Sequence, residues 1–223
     1  MYGDFSIKQC LIMKTETPND ENKLSTEDLI LEAAEREFLR KGYAGARTVA
    51  IAEAAGVTHA MLHYYFRTKD KLFERILSRK VGLLRDIMLA SVGDPRLPLF
   101  DKIRMTIEGH LDFIAANPDL PRFLVGEVFG QPERMAPMLN LLQTHAPLVV
   151  DSLQKQIDEY ASRRECRRVD ARMLILDIIS LNIFSFMASP ISGPLFGDTM
   201  NSPEFLAARK RENVDTIMRK LKP

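Results

Sequence analysis

Residues Thr48 to Phe73 read TVAIAEAAGVTHAMLHYYFRTKDKLF, and few folds accommodate that string. Two short helical patterns flank Ala55-Gly56-Val57. Gly56 supplies the positive φ of a tight turn, Val57 plugs the turn, and Thr58 is placed to cap the next helix. Ile51 and Ala52 face inward from the leading helix, which runs from about Thr48, its expected N-cap, to Ala55. Ala52 is small enough for a second helix to cross closely. Leu62 and Phe66 face inward from that second helix at i, i+4. A basic, aromatic segment follows, then an amphipathic helix from Lys69 to about Leu89, capped by Thr68, with the stripe Leu72, Phe73, Ile76, Leu83, Leu84 and Ile87. This is the layout of a helix-turn-helix that carries its second helix into the DNA major groove.

A helix before the motif gives it a base. Ser25 can cap it, with Asp28 three residues on. Ile30, Ala33, Ala34 and Phe38 line one face, Arg40 and Lys41 suit its negative end, and Gly42 suits a left-handed stop. With Val57, Leu62 and Phe66 turned inward, the groove helix leaves Thr58, His59, Ala60, His63 and Tyr64 outward. Thr48, Tyr64, Tyr65, Arg67 and Lys69 are donors for phosphates, aided by helix N-termini. Formal net charge is only +1 for 223 residues, so the electrostatic footprint must be local. Residues 25–80 hold ten Lys/Arg against eight Asp/Glu, with most of the acid on the first helix.

On the motifs IAEAAGV (Ile51–Val57), LHYYF (Leu62–Phe66) and KDKLF (Lys69–Phe73), the chain resembles the tetracycline-repressor (TetR/AcrR) family. The resemblance covers roughly residues 25–80; beyond them it is supported by chain length and helical pattern alone. It implies a homodimeric transcriptional repressor with a three-helix reading domain and a helical C-terminal domain that dimerises and binds an inducer. Phosphate-contacting positions of the family fall on Thr48, Tyr64, Tyr65 and Lys69, and base-reading positions on His59, Ala60 and His63. Members often carry tyrosine where His63 stands, and some read a base with an arginine where this chain has Val49. The groove helix lacks Arg, Lys, Asn and Gln, so direct base readout is expected to be sparse.

The remaining pattern is all helix, and the fold class is all-α. Three domains are expected: a disordered tail over 1–24, a helix-turn-helix domain over 25–70, and a ligand-binding and dimerisation domain over 71–223. Leu99–Ala116 is apolar on more than one side, and Leu120–Phe129 is a short helix. Pro137–Tyr160 is expected as one helix kinked at Pro147. Asp170–Ala188 is apolar almost all round and must be buried on all sides. Ser189–Pro203 is expected as a loop before a last amphipathic helix.

The family resemblance places the dimer interface on the last two helices, with Ile178, Leu181, Ser185, Phe205, Val214 and Ile217 contributing. Twofold symmetry then implies a palindromic operator in double-stranded DNA. It places the inducer among the middle helices, where Met105, Glu108, Phe113, Phe123, Met138, Leu142, His145, Phe184 and Met187 are the candidates. His110 and Phe129 lie among them, and methionine and aromatic side chains suit an apolar or amphipathic molecule. A DNA-binding architectural or occlusion protein without an inducer is the alternative.

Other classes find little support. Cys10 and Cys166 give neither a disulfide framework nor a CxxC spacing, which suits a reducing cytoplasm. The N-terminal residues lack signal-peptide character. The apolar run Met173–Ala188 falls short of the roughly 20 residues that span a bilayer. His59 and His63 stand at i, i+4 without a third ligand nearby, so no metal or cofactor is expected. Gly-rich phosphate loops, nucleophile elbows and Cys/His pairs are missing, so no enzyme is expected.

Overall fold

The computed structural model describes residues 24–92, 94, 96–144, 146–197 and 202–223. All but one residue of the expected tail, and His145, lie outside them. Among the described residues every regular element is helical: α1 (Thr26–Gly45), α2 (Thr48–Ala54), α3 (His59–Phe66), α4 (Lys69–Ser91), α5 (Leu99–Ala116), α6 (Leu120–Leu124), a π-helical turn (Val125–Phe129), α7 (Pro132–Gln143), α8 (Ala146–Ser162), α9 (Ala171–Met187), α10 (Ser189–Phe196) and α11 (Pro203–Leu221).

Caps set most of the boundaries. Ser25, Thr58, Thr68, Asp170 and Ser202 each accept a hydrogen bond from a first-turn backbone N–H of the helix that follows, satisfying donors that a helix start leaves free. Gly42 takes φ 69° and ψ 174°, a region open to glycine alone, and bends the end of α1. Thr48 does not cap α2. Arg47 occupies the cap position without a side-chain bond, and the Thr48 hydroxyl reaches His59 instead.

Three other expectations are corrected. Residues 137–160 fall in two helices, α7 ending at Gln143 and α8 beginning at Ala146. Pro147 is the second residue of α8, where its missing N–H breaks no helical bond, so it starts a helix rather than kinking one. The segment after α9 is helical over Ser189–Phe196, with Pro190 in its first turn. On α4, Leu83 is exposed, while Leu77 and Val81 carry the buried stripe beside Leu72, Phe73 and Ile76.

The core has three parts. The head core gathers Ile30, Phe38, Ile51, Leu62, Phe66 and Phe73, and continues through Ile76, Leu77 and Val81 to Val128 and Met138. Helix α4 and helix α7 therefore tie the reading head to the body. A second core joins α5, α8, α9 and α11 through residues such as Ile103, Ile157, Ile178 and Ile217. A third, around Leu111, Phe113, Leu120 and Phe186, lies beside Leu84 and Ile87 of α4. Among the described residues no single helix is long and apolar enough to cross a membrane, though α9 and α10 together, bent by 62°, meet that test by length and composition.

Candidate nucleic-acid interface and effector region

Helices α2 and α3 meet at the Ala55–Thr58 turn, where Gly56 has φ 69°. Leu62 is fully buried and Phe66 nearly so. Burial of that face fixes the opposite one outward: Thr58, His59, Ala60, His63, Tyr64 and Tyr65 are all exposed, Tyr64 by 81%. None of these exposed groups carries a negative charge.

The polar groups on this face are already linked. His63 Nδ1 lies 2.9 Å from the Arg67 carbonyl oxygen. A carbonyl only accepts, so Nδ1 carries the proton. In the neutral ring His63 Nε2 is then an acceptor, and His59 Nε2, 3.1 Å away, donates to it. The Thr48 hydroxyl sits 3.0 Å from the same His59 nitrogen. Thr48 and the two histidines thus form one chain across α2 and α3.

Arg67 joins α3 to α4 with φ 55° and ψ −51°. The Thr68 N–H bonds the Phe66 carbonyl at 2.5 Å across it, a γ-turn that is costly for a side-chain-bearing residue. The turn brings Lys69, the first residue of α4, beside the groove helix. Lys69 Nζ stands 4.6 Å from the centre of the Tyr43 ring. On the same ring lies the Arg134 guanidinium of α7, 3.8 Å from its centre. Arg134 also donates to the Glu127 carbonyl at 3.0 Å and to its carboxylate at 3.1 Å. The Tyr43 hydroxyl donates to Asp70; burial first, and this carboxylate second, push the phenol up to about 12. Lys69 and a body helix therefore share one aromatic ring, a link between residues 43, 69 and 134 that no local sequence pattern announces.

The expected effector residues do not gather around one cavity. Phe123, Met138 and Leu142 pack with the head core, Phe113 belongs to the third core, and Phe184 is 69% exposed on the surface. Met105, Glu108 and Met187 are half-buried. His110 is buried and bonds the amide nitrogen of Asn182, whose oxygen accepts from Asn213. A partly open recess of about 110 Å³ lies elsewhere, between α1, α4 and the α5–α6 connection, and of the expected residues only Phe123 lines it.

The residues expected at a dimer interface are mostly committed to their own subunit. Ile178, Ser185, Val214 and Ile217 are buried in the protomer, and only Leu181 and Phe205 keep partial exposure. A side chain already buried at home has little surface left for a partner. The outward stripe of α9 is instead Met173, Leu176, Ser180 and Phe184, continued on α10 by Ile191 and Leu195.

The geometry of α2 and α3 defines a helix-turn-helix protein with a helical body. Residues 30–76 match the model of bacterial regulatory proteins, tetR family, and residues 100–217 match the tetracyclin repressor-like C-terminal domain. The chain belongs to the TetR family of bacterial transcriptional regulators. It is 36% identical over 103 residues to the HTH-type transcriptional repressor SCO4008 of Streptomyces coelicolor, a match covering 46% of this chain and 50% of that protein. It is 27% identical over 145 residues to the nucleoid occlusion factor SlmA of Haemophilus influenzae, 63% of each chain. The matches thus span between half and 63% of the length of these curated relatives. Among solved structures, the TetR family transcriptional regulator PfmR of Thermus thermophilus superposes with a TM-score of 0.64 at 18% identity, covering 90% of this chain and all of that one. The fatty acid degradation regulator FadR of Bacillus halodurans gives 0.62 at 17% identity, over 88% and 96%. At such identities the likeness is one of fold.

Proposed function

We propose that this chain is a homodimeric transcriptional repressor that reads a palindromic operator with α3 and is released by a small apolar or amphipathic molecule. The observation that carries DNA reading is the outer face of α3, where Thr58, His59, Ala60 and His63 are exposed on a helix anchored by Leu62 and Phe66. Thr48, Tyr64, Tyr65 and Lys69 flank it as phosphate partners. The repressor role follows the printed role of SCO4008. The cytoplasm is the compartment this reading requires.

Gel shifts on genomic fragments over a salt series test it. Affinity should fall steeply with salt as counterions return to the phosphates. Lys69→Ala, which removes one phosphate contact from each half of the dimer, should weaken all sequences alike and flatten the salt slope by about two, whereas His59→Ala should change the sequence preference. A salt-insensitive complex, or none at all, would reject DNA reading.

Release is proposed as a population shift: the effector favours a spacing of the two α3 helices that no longer fits successive major grooves. A second reading, a DNA-occlusion or architectural protein without an effector, draws on the similarity to SlmA and on the dispersal of the expected effector residues. Genome-wide binding separates them: a few palindromes for the repressor, many dispersed sites for the occlusion protein.

A further inference from the structure

We propose that the recess between head and body is a binding site for a compact, uncharged, mostly apolar molecule carrying one hydrogen-bond acceptor. The proposal gives the ligand-responsive reading above a place and a chemistry, and its regulatory consequence rests on that reading. Three parts of the molecule wall the recess: Phe38 and Leu39 from α1, Ile76 and Leu77 from α4, and Leu120 and Phe123 from α6. Its volume of about 110 Å³ is smaller than the cavity of about 150 Å³ that encloses benzene, so the recess seats part of a single ring and leaves the rest of the molecule at its open side.

Four polar side chains, Glu35, Lys80, Asn117 and Asp119, also line the recess, and Lys80 is held in place among them. Lys80 Nζ donates to Glu35 Oε1 at 2.7 Å and to Asn117 Oδ1 at 2.6 Å. Asn117 is itself oriented by donating to the Phe113 carbonyl at 2.8 Å. An ammonium has three donors, so these two contacts leave the third for an acceptor entering the recess. The charges choose the class. Lys80 stands against Glu35 and Asp119, a net charge of −1 around the opening, which disfavours an anion. A cation would meet the Lys80 ammonium. A neutral ketone or ether oxygen accepts the third N–H and leaves the Lys80–Glu35 pair intact.

Position gives the site its consequence. Helix α1 belongs to the reading head, α4 links it to the body, and residues Ala116–Phe123 belong to the body. A molecule seated here fixes the distance between α1 and the α5–α6 connection, and so the angle at which α4 carries the head.

The test uses the full chain with isotope-labelled Ile and Leu methyl groups. The probes are acetophenone, ethylbenzene as its counterpart without an acceptor, and benzoate as the anion. Acetophenone should shift the Ile76, Leu77 and Leu120 methyls saturably and bind about tenfold more tightly than ethylbenzene. The Glu35→Gln/Lys80→Met double variant, which leaves no buried charge without a partner, should bring that ratio close to one. Shifts confined to body-core methyls such as Leu174 and Ile178, or no saturable shift, would overturn the site. Benzoate binding there as well as acetophenone would overturn the assigned chemistry. If acetophenone fills the recess and operator affinity stays constant, the site stands and ligand-driven release falls.

Discussion

His110 is held in the body core as a neutral imidazole. The Asn182 amide spends one N–H on the Ile107 carbonyl and directs the other at His110 Nδ1, 3.1 Å away. That nitrogen must therefore accept, and a proton there would face a donor. Burial lowers the group from its ordinary 6.5 to about 4. Unfolded chain takes up a proton below about 6.5 while the folded chain resists until about 4, so stability is present above 6.5 and is lost as pH falls through that window. Denaturant titrations at pH 7 and 5 should differ by about 2 kcal/mol from this residue, and His110→Gln should remove that part of the difference. Gly42 is constrained by its backbone. A Cβ there would stand 2.4 Å from Glu127 Oε1, at φ 69° and ψ 174°. Gly42→Ala should lower stability by about 1–3 kcal/mol in the same titration, and an unchanged midpoint would count against this bend.

At the scale of elements, what the sequence announced and what it hid divide by distance along the chain. Ser25, Thr58 and Thr68 each cap the helix expected after them, because a cap acts on N–H groups two or three residues away. The buried pair Leu62 and Phe66, and hence the outward face of α3, follow equally from local period. Prolines misled where their position in the turn decides their effect, as Pro147 and Pro190 start helices instead of kinking or excluding them. The recess needs residues 35, 80 and 117, and the Tyr43 stack needs 43, 69 and 134; packing alone brings these together. That stack makes a prediction of its own. Arg134→Met keeps the length of the side chain but removes the cation over Tyr43 and both bonds to Glu127. Amide exchange at the end of α1 should quicken about fivefold, equivalent to about 1 kcal/mol. Unaltered exchange would mean that α7 does not hold the head through this ring.

For the whole molecule, the issue is what covers α9. Its inner face, Leu174, Ile178, Asn182 and Ser185, is buried in the protomer, yet Met173, Leu176 and Phe184 on the other side are exposed. The helix is apolar almost all round while one subunit buries half of it. The homodimer reading assigns the other half to a second copy, because a twofold contact covers the same patch on both. Phe184 is the decisive residue, since at 69% exposure its replacement takes little from the protomer's own core. Phe184→Glu should keep its helical circular dichroism and sediment as a monomer. A monomer brings one α3 to DNA and touches about half the phosphates, so its log–log slope of affinity against salt should fall to about half that of the parent protein. A variant that stays dimeric with the full slope would move the interface away from this stripe. A monomer with the full slope would break the link between dimerisation and operator reading.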